Sequence, residues 1–501
     1  MTAYHELERR FARLAALGDA IGILGWDCQT MMPDGAAEAR AAATATLAGL
    51  SHDLLTAPVV ADLLDEAEAG TAGLEPWQRA NLHEMRRDWS HATAVPADLV
   101  EASSRASSAA EMVWRTARAA SDFAALKPAL AEVLACQREI GQAKAAALGC
   151  SPYEALLDQY EPGARTAAID PLFDDLADFL PGFLGRVLER QAMLPAPEPL
   201  AGPFPVEAQR ALGERLMRRI GFDFNRGRLD VSLHPFCGGA TNDVRLTTRY
   251  DEGDFTRALM GVLHETGHAL YEQGRPAAWL AQPVGAARGM AVHESQSLIV
   301  EMQAARSRAF LDYLAPVVRA AFGGSGPAWE AGNLHRLYTR VEPGFIRVDA
   351  DEVTYPAHVI LRYRLEKAMI AGDLTLEDLP GAWAEGMRAL LGIVPPDDRR
   401  GCLQDIHWPS GGWGYFPTYT LGAAIAAQLF DAASRAEPDL RPRLAQGDFA
   451  PLAGWLRTNI HGKGSLLSTS DLLREATGRP LDPALYRRHL ERRYLERDAH
   501  A

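Results

Sequence analysis

Residues 261–274 read GVLHETGHALYEQG, and the His264-Glu265-x-x-His268 run inside them constrains the fold more than any other stretch of the chain. Two imidazoles four positions apart converge only on an α-helix, where that spacing returns to one face after about one turn. The flanking residues agree: Asp254 is a capping residue ahead of an apolar-periodic run from Phe255 to Gln273, and Gly274 stands just where such a helix would end. In that geometry both imidazoles reach one metal ion, and Glu265 projects beside it, where a carboxylate can accept a proton from water. Catalytic zinc sites use three protein ligands and keep a position for water, so the fold must deliver one more donor.

That donor is not on the same helix. Tyr271 and Gly274 occupy the positions where the longer H-E-x-x-H-x-x-G-x-x-H pattern needs glycine and histidine. Glu272 sits about 9 Å along the axis from the midpoint of the two histidines, too far to share their ion. The next segment, GMAVHESQSLIVEMQ (289–303), reads as a second helix offering Glu294 and Glu301, with His293 and Ser295 as polar neighbours of Glu294. A glutamate ligand on a later helix is the gluzincin arrangement.

The remainder of the chain is mainly helical. EARAAATATLAGLSHDLL (38–55) and DFAALKPALAEVLACQREIGQAKAAALG (122–149) repeat apolar residues at three and four, and Gly149 closes the second. The proline-rich MLPAPEPLAGPFPVE (193–207) is the best internal boundary. After it comes the one clear β signal, RLDVSLHPF (228–236) and DVRLTTRY (243–250) around the turn-forming CGGATN, read as a hairpin that could pair with an extended peptide. HWPSGGWGYFPTYTLG (407–422) reads as a loop.

With 51 basic against 65 acidic residues, a net charge of −14 and no basic stripe, nucleic acid is excluded as a partner. The charged start, MTAYHELERR, lacks a signal peptide's hydrophobic stretch, and no run approaches the ~18 apolar residues of a membrane span, so a cytoplasmic setting is expected. Cys28, Cys136, Cys150, Cys237 and Cys402 form no C-x-x-C pair and read as buried thiols in a reducing compartment.

Several separated motifs occur in order: HPF (234–236), DVRLTTRY (243–250), HETGH (264–268), HESQ (293–296), IRVDAD (346–351) and GCLQDIHW (401–408). With WDCQTMMPDGAAEARA (26–41) and PYEALLDQYEPG (152–163), they make the chain resemble, over nearly its whole length, the thermostable metallocarboxypeptidases of the carboxypeptidase Taq type. The resemblance implies a mainly α, saddle-like zincin fold with a deep cleft and a small β-hairpin or sheet beside the active site. It implies one continuous domain over 1–501, comprising an N-terminal helical half (1–207) and a half carrying the metal site (208–501), and assembly as a homodimer. By the same match His264, His268 and Glu294 hold one divalent ion per subunit, zinc by default and cobalt as an alternative, and Glu265 is the general base. One departure is Trp26-Asp27-Cys28, where the family usually has W-D-Q; it bears on local packing or a secondary contact.

The implied activity is release of single C-terminal amino acids from peptides, with broad specificity and difficulty at proline. A free α-carboxylate calls for an arginine fork, and Arg245, Arg249 and Arg347 are candidates. Arg347 is preferred because IRVDAD resembles the family's substrate-side motif, whereas Arg245 and Arg249, at alternating strand positions, suit structural pairs. His407, Tyr415 and Tyr419 are candidate donors to the oxyanion or the substrate backbone, and His234 a candidate at the cleft edge. A related helical oligopeptidase and a non-catalytic peptide-binding scaffold are the competing readings; an intact Glu265 argues against the second.

Overall fold

Apolar residues recurring at three and four produce helices wherever the chain offers them without interruption. In the computed structural model, which describes residues 2–496, the two early stretches form Ala37–Thr56 and Phe123–Leu148, the latter capped by Asp122 and ended by Gly149 at φ 64°. The Ala37–Thr56 helix buries none of its residues, so its alanine-rich composition sustains it more than packing does. Twenty α-helices are present among the described residues, with one small sheet.

The sheet differs from the expected hairpin. It has three strands, β1 (Gly227–Val231), β2 (Cys237–Ala240) and β3 (Asp243–Thr248), in the order β1-β3-β2. β1 pairs parallel with β3 in the register Leu229 to Leu246, while CGGA, expected as turn, is the antiparallel strand β2, with Cys237 opposite Leu246. The reason is local: glycines carry no strand signal, yet they allow the close approach this place requires. A Cβ on Gly22 of the first helix, Ala3–Thr30, would lie 2.1 Å from the Gly239 carbonyl, and Asp19 accepts the Thr241 N–H at 2.8 Å. This end of the β2 edge is therefore covered by protein and closed to peptide pairing.

The main apolar core runs from Ala117 to Tyr494 and takes in Phe204 of the proline-rich segment together with residues on both sides of it, among them Phe183 and Leu212. A second cluster joins the first helix to Val60, Leu64 and Met85, and a third seals the sheet against the metal helix through Leu229, Leu246 and Val262. Trp26 lies under two guanidiniums, Arg228 at 5.1 Å and Arg245 at 4.1 Å, and Arg245 also pairs with Asp243 at 2.6 Å, the structural pairing expected of it. Asp27 pairs with Arg40. All five cysteines are unpaired, but they are not uniformly buried: Cys402 is buried and Cys28, at the W-D-Q departure, is exposed.

Candidate metal centre

The helix carrying the two histidines spans Phe255–Gly274, with Asp254 accepting the Thr256 N–H at 2.8 Å. It runs antiparallel to Met290–Leu298, so that His268 meets Glu294 while His264 meets Glu301. Gly267 makes this close approach possible: a Cβ there would fall 2.2 Å from the Gln296 carbonyl oxygen and 2.6 Å from Ser297 Cα. On the other flank, Gly422 of the Pro417–Ala436 helix leaves room for the Glu294 side chain, whose Cγ would be 2.8 Å from an added Cβ.

Glu294 Oε2 lies 3.2 Å from His268 Nε2 and 3.8 Å from His264 Nε2, and the three donors fall within 4.8 Å of one another. Bonds of ~2.05 Å in a tetrahedral site separate ligand atoms by roughly 3.3 Å, so this donor set fits a zinc-sized dication. The far side of each ring is held. His264 Nδ1 is 2.9 Å from Glu301 Oε2, and Arg306 donates to the other Glu301 oxygen at 2.5 Å. His268 Nδ1 is 3.0 Å from the His293 carbonyl and 2.7 Å from His293 Nδ1, and His293 Nε2 contacts Glu272 at 2.9 Å. Such contacts direct both Nε2 atoms toward the shared point.

After Leu298 the helix loosens into a π-helical turn, Ile299–Ala305, which carries Glu301. Glu301 thus supports His264 from behind, and the alternative of Glu301 as the third donor is not the one the geometry favours. Burial works against charging His264, yet Glu294 and Glu301 raise it to about 10, whereas burial takes His268 down to about 4. The opposite shifts have different causes: carboxylates dominate at His264, whereas burial and the adjacent imidazoles dominate at His268 and keep its ring neutral, the form that ligates a metal. Glu265 is 7% exposed and is pushed up to about 7, chiefly by burial, with the neighbouring His264 opposing and Glu294 adding to the rise. Among the described residues no side chain donates a hydrogen bond to it.

Arg347 occupies a short 3-10 turn, Arg347–Asp349, and is buried. Its Nε and Nη2 both donate to Asp405 Oδ1, at 3.0 and 2.8 Å, and its Nη1 donates to Tyr355 at 3.0 Å. Arg362, with no side-chain exposure, takes the other Asp405 oxygen at 2.6 Å. Asp405, rather than the nearer Asp349 or Asp351, is therefore the partner of Arg347. Tyr419 lies 5.2 Å from the Arg347 guanidinium and its hydroxyl 3.3 Å from His407 Nε2, while Tyr415 packs edge-on to Tyr419 at 5.2 Å and to Tyr160 at 5.0 Å. Tyr419 opens the same helix that carries Gly422, one turn away, so this cluster adjoins Glu294. His234 lies exposed between β1 and β2, its carbonyl accepting from Ser232 Oγ at 2.6 Å.

A cleft of about 890 Å³ opens beside the centre, with His293, Glu272 and Cys237 on one wall and Asp19, Arg87 and Lys144 from the N-terminal helices on another. Arg306, Asp405 and Arg362 are supporting residues that sequence reasoning did not name, and Glu301, named there as a candidate donor, supports His264 instead. For Asp405 a signal was available, since it stands two positions before His407 in QDIHW.

A helical scaffold built around this paired-helix centre defines a class, the metal-dependent peptidases. Residues 6–494 match the family described as Carboxypeptidase Taq (M32) metallopeptidase. The chain is 40% identical to Thermostable carboxypeptidase 1 of Thermus thermophilus over 98% of its own length and 97% of that protein's. Among solved structures it is similar to Trypanosoma cruzi metallocarboxypeptidase 1 (TM-score 0.97, 45% identity, 99% of each chain) and to the M32 carboxypeptidase of Deinococcus radiodurans R1 (TM-score 0.92, 36% identity, 98% of each chain). The chain belongs to the carboxypeptidase Taq (M32) metallopeptidase family: it is a metallocarboxypeptidase, requires a divalent metal and acts on peptides.

Proposed function

We propose that His264, His268 and Glu294 hold one zinc ion per subunit and that Glu265 is the general base in releasing single C-terminal residues. The observation that carries this reading is the antiparallel helix contact at Gly267, which gathers the three donors within 4.8 Å. Cobalt suits the same nitrogen and oxygen set. When bound, the ion supplies Lewis-acid polarisation of the scissile carbonyl and makes a water more acidic. Glu265 takes the water's proton and returns it to the departing amine, a task suited to a carboxylate lifted toward neutrality.

Arg347 is assigned the substrate α-carboxylate. Two guanidiniums share the single carboxylate of Asp405, which leaves one positive charge in a buried place, and an incoming carboxylate answers it. Tyr415, Tyr419 and His407 are assigned as donors to the developing oxyanion or the peptide backbone; His407, held down to about 4 by burial and then by Arg347, stays neutral at pH 7. His234 is assigned an outer contact at the cleft edge. The family resemblance supports loose side-chain preference, and a terminal proline is a poor substrate because its tertiary amide has no N–H and a fixed ring geometry.

We further propose that residues 1–501 act as one domain, which the core shared across the proline-rich segment supports. The family resemblance supports a homodimer. The unpaired cysteines support a reducing, cytoplasmic setting; no single helix among the described residues is long and apolar enough to cross a membrane. The net charge of −14 speaks against nucleic acid as a partner.

The deciding assay follows N-blocked peptides by mass, with chelator and metal add-back. Stepwise loss of single residues from free C-termini is expected, and equal cleavage of C-amidated peptides would refute the exopeptidase assignment. Glu265→Gln is expected to keep metal and lose turnover; unchanged turnover removes Glu265 from the proton transfer.

A further inference from the structure

A second cavity, of about 430 Å³, shares no lining residue with the metal cleft. Arg190, Arg308, Arg336, Arg340 and Arg493 line it, and Glu496 is the one lining carboxylate among the described residues. In a chain of net charge −14 this concentration of cations runs against the background. Three of the five are answered by carboxylates outside the lining: Arg308 by Asp312, Arg340 by Glu342 and Arg493 by Glu352. Arg190 and Arg336 are not. Arg190 donates to the Glu496 carbonyl at 3.0 Å and Arg336 to Asn333 Oδ1 at 3.3 Å, and among the described residues neither is within ion-pair distance of a carboxylate. Arg336 Nε is buried without a hydrogen-bond partner.

Part of the lining is apolar: Val187 and the proline-rich Leu194, Pro195 and Pro197, a stretch the peptidase chemistry does not use, contribute to the same cavity. Two guanidiniums without a counterion among the described residues suit a group of charge near −2 with several acceptor oxygens, which describes a phosphate monoester better than a single carboxylate. The volume falls in the range of small-molecule sites.

We propose that this cavity binds a small phosphorylated molecule, its phosphate between Arg190 and Arg336 and its organic body against the Leu194–Pro197 wall. The site is independent of the peptidase reading. Calorimetric titration of the metal-loaded full chain with adenosine monophosphate, ribose 5-phosphate, inorganic phosphate and adenosine tests it. Adenosine monophosphate or ribose 5-phosphate is expected to bind more tightly than inorganic phosphate, and adenosine not at all. Arg190→Gln and Arg336→Gln should each weaken binding about tenfold or more, the worth of a hydrogen bond to a charged group, with peptide release retained. Ala196→Trp fills the cavity and should abolish binding, which keeps the test decisive if an arginine variant folds poorly. Adenosine binding as tightly as its monophosphate, or binding that survives all three substitutions and so lies elsewhere, the catalytic metal included, overturns the proposal. Inorganic phosphate matching both esters overturns the assignment of an organic body.

Discussion

Gly267→Ala isolates the contact on which the metal centre rests. In an unconstrained helix the change would stabilise by about 1 kcal/mol, because glycine is the poorer helix former. Here the new methyl would sit 2.2 Å from the Gln296 carbonyl oxygen, where ordinary contact begins at 3.4 Å. The obstacle is backbone, so no rotamer relieves it and the two helices must part by about 1 Å. Overpacking of this kind costs about 1–3 kcal/mol and should outweigh the propensity gain. The same displacement would widen the 3.2 Å gap between His268 Nε2 and Glu294 Oε2 beyond the roughly 3.3 Å edge of a tetrahedral site, so metal affinity should fall by about tenfold or more. Gly261→Ala, on the same helix with nothing within 4 Å, is the control and should stabilise by up to about 1 kcal/mol. Chemical unfolding of the metal-depleted proteins separates fold from metal linkage, and chelator competition measures affinity. A Gly267→Ala protein as stable as its parent, with unchanged affinity, would refute the packing argument.

Other consequences are equally direct. Glu301→Gln keeps the shape but weakens the acceptor behind His264 and uncovers Arg306; metal affinity should drop about 10–100-fold by chelator competition, with turnover per bound ion less affected. Asp405→Asn removes the carboxylate shared by Arg347 and the fully buried Arg362; a loss of about 3–5 kcal/mol in urea unfolding and a raised KM for free C-terminal peptides are expected, and an unchanged KM would separate Asp405 from substrate binding. Burial lifts Glu366 from 4.5 to about 7, against hydrogen bonds from Trp408, Tyr153 and the Gly414 N–H. Its protonated form is favoured in the folded state, so its contribution is complete below about pH 4.5 and is lost as pH rises through about 7. The loss is worth up to about 3 kcal/mol. Glu366→Gln mimics the protonated form and should match the parent near pH 5 and exceed it near pH 8 in urea unfolding.

The parts legible from sequence were those fixed within one helix. The four-residue spacing of His264 and His268, the Asp254 cap and the Gly149 ending depend on neighbours a few positions away, and each stands where the sequence places it. Glu294 and Glu301, seven apart, present the same face, and choosing between them needs the offset of two helices, which the Gly267 contact sets from outside the segment. The π-helical turn that carries Glu301 has no composition of its own. β2 escaped notice because CGGA lacks branched and aromatic residues, and β3 pairs parallel with β1, from which β2 separates it along the chain. Asp405 joins arginines 43 and 58 positions away, a pairing that no local pattern encodes.

With Arg347 assigned to the terminal carboxylate, two charge imbalances of opposite sign would let one fold select a chain end. Glu265, Glu294 and Glu301 surround the imidazoles with negative charge suited to a dication, and Arg347 with Arg362 exceeds Asp405 by one positive charge suited to a carboxylate. Both are braced by a single element: within Pro417–Ala436, Gly422 abuts Glu294 and Tyr419, one turn earlier, packs on Arg347. In the proposed reading, the separation between the terminal carboxylate and the scissile carbonyl is therefore set by a rigid helical turn and not by a loop. A peptide whose last carboxylate is captured would present its final peptide bond at the metal, whereas an amidated end offers nothing to the unbalanced guanidinium. Tyr419→Phe tests this division of labour: loss of the hydroxyl near His407 should lower kcat while leaving the Arg347 contact, and hence KM, nearly unchanged. A rise in KM with kcat intact would place Tyr419 in carboxylate capture instead.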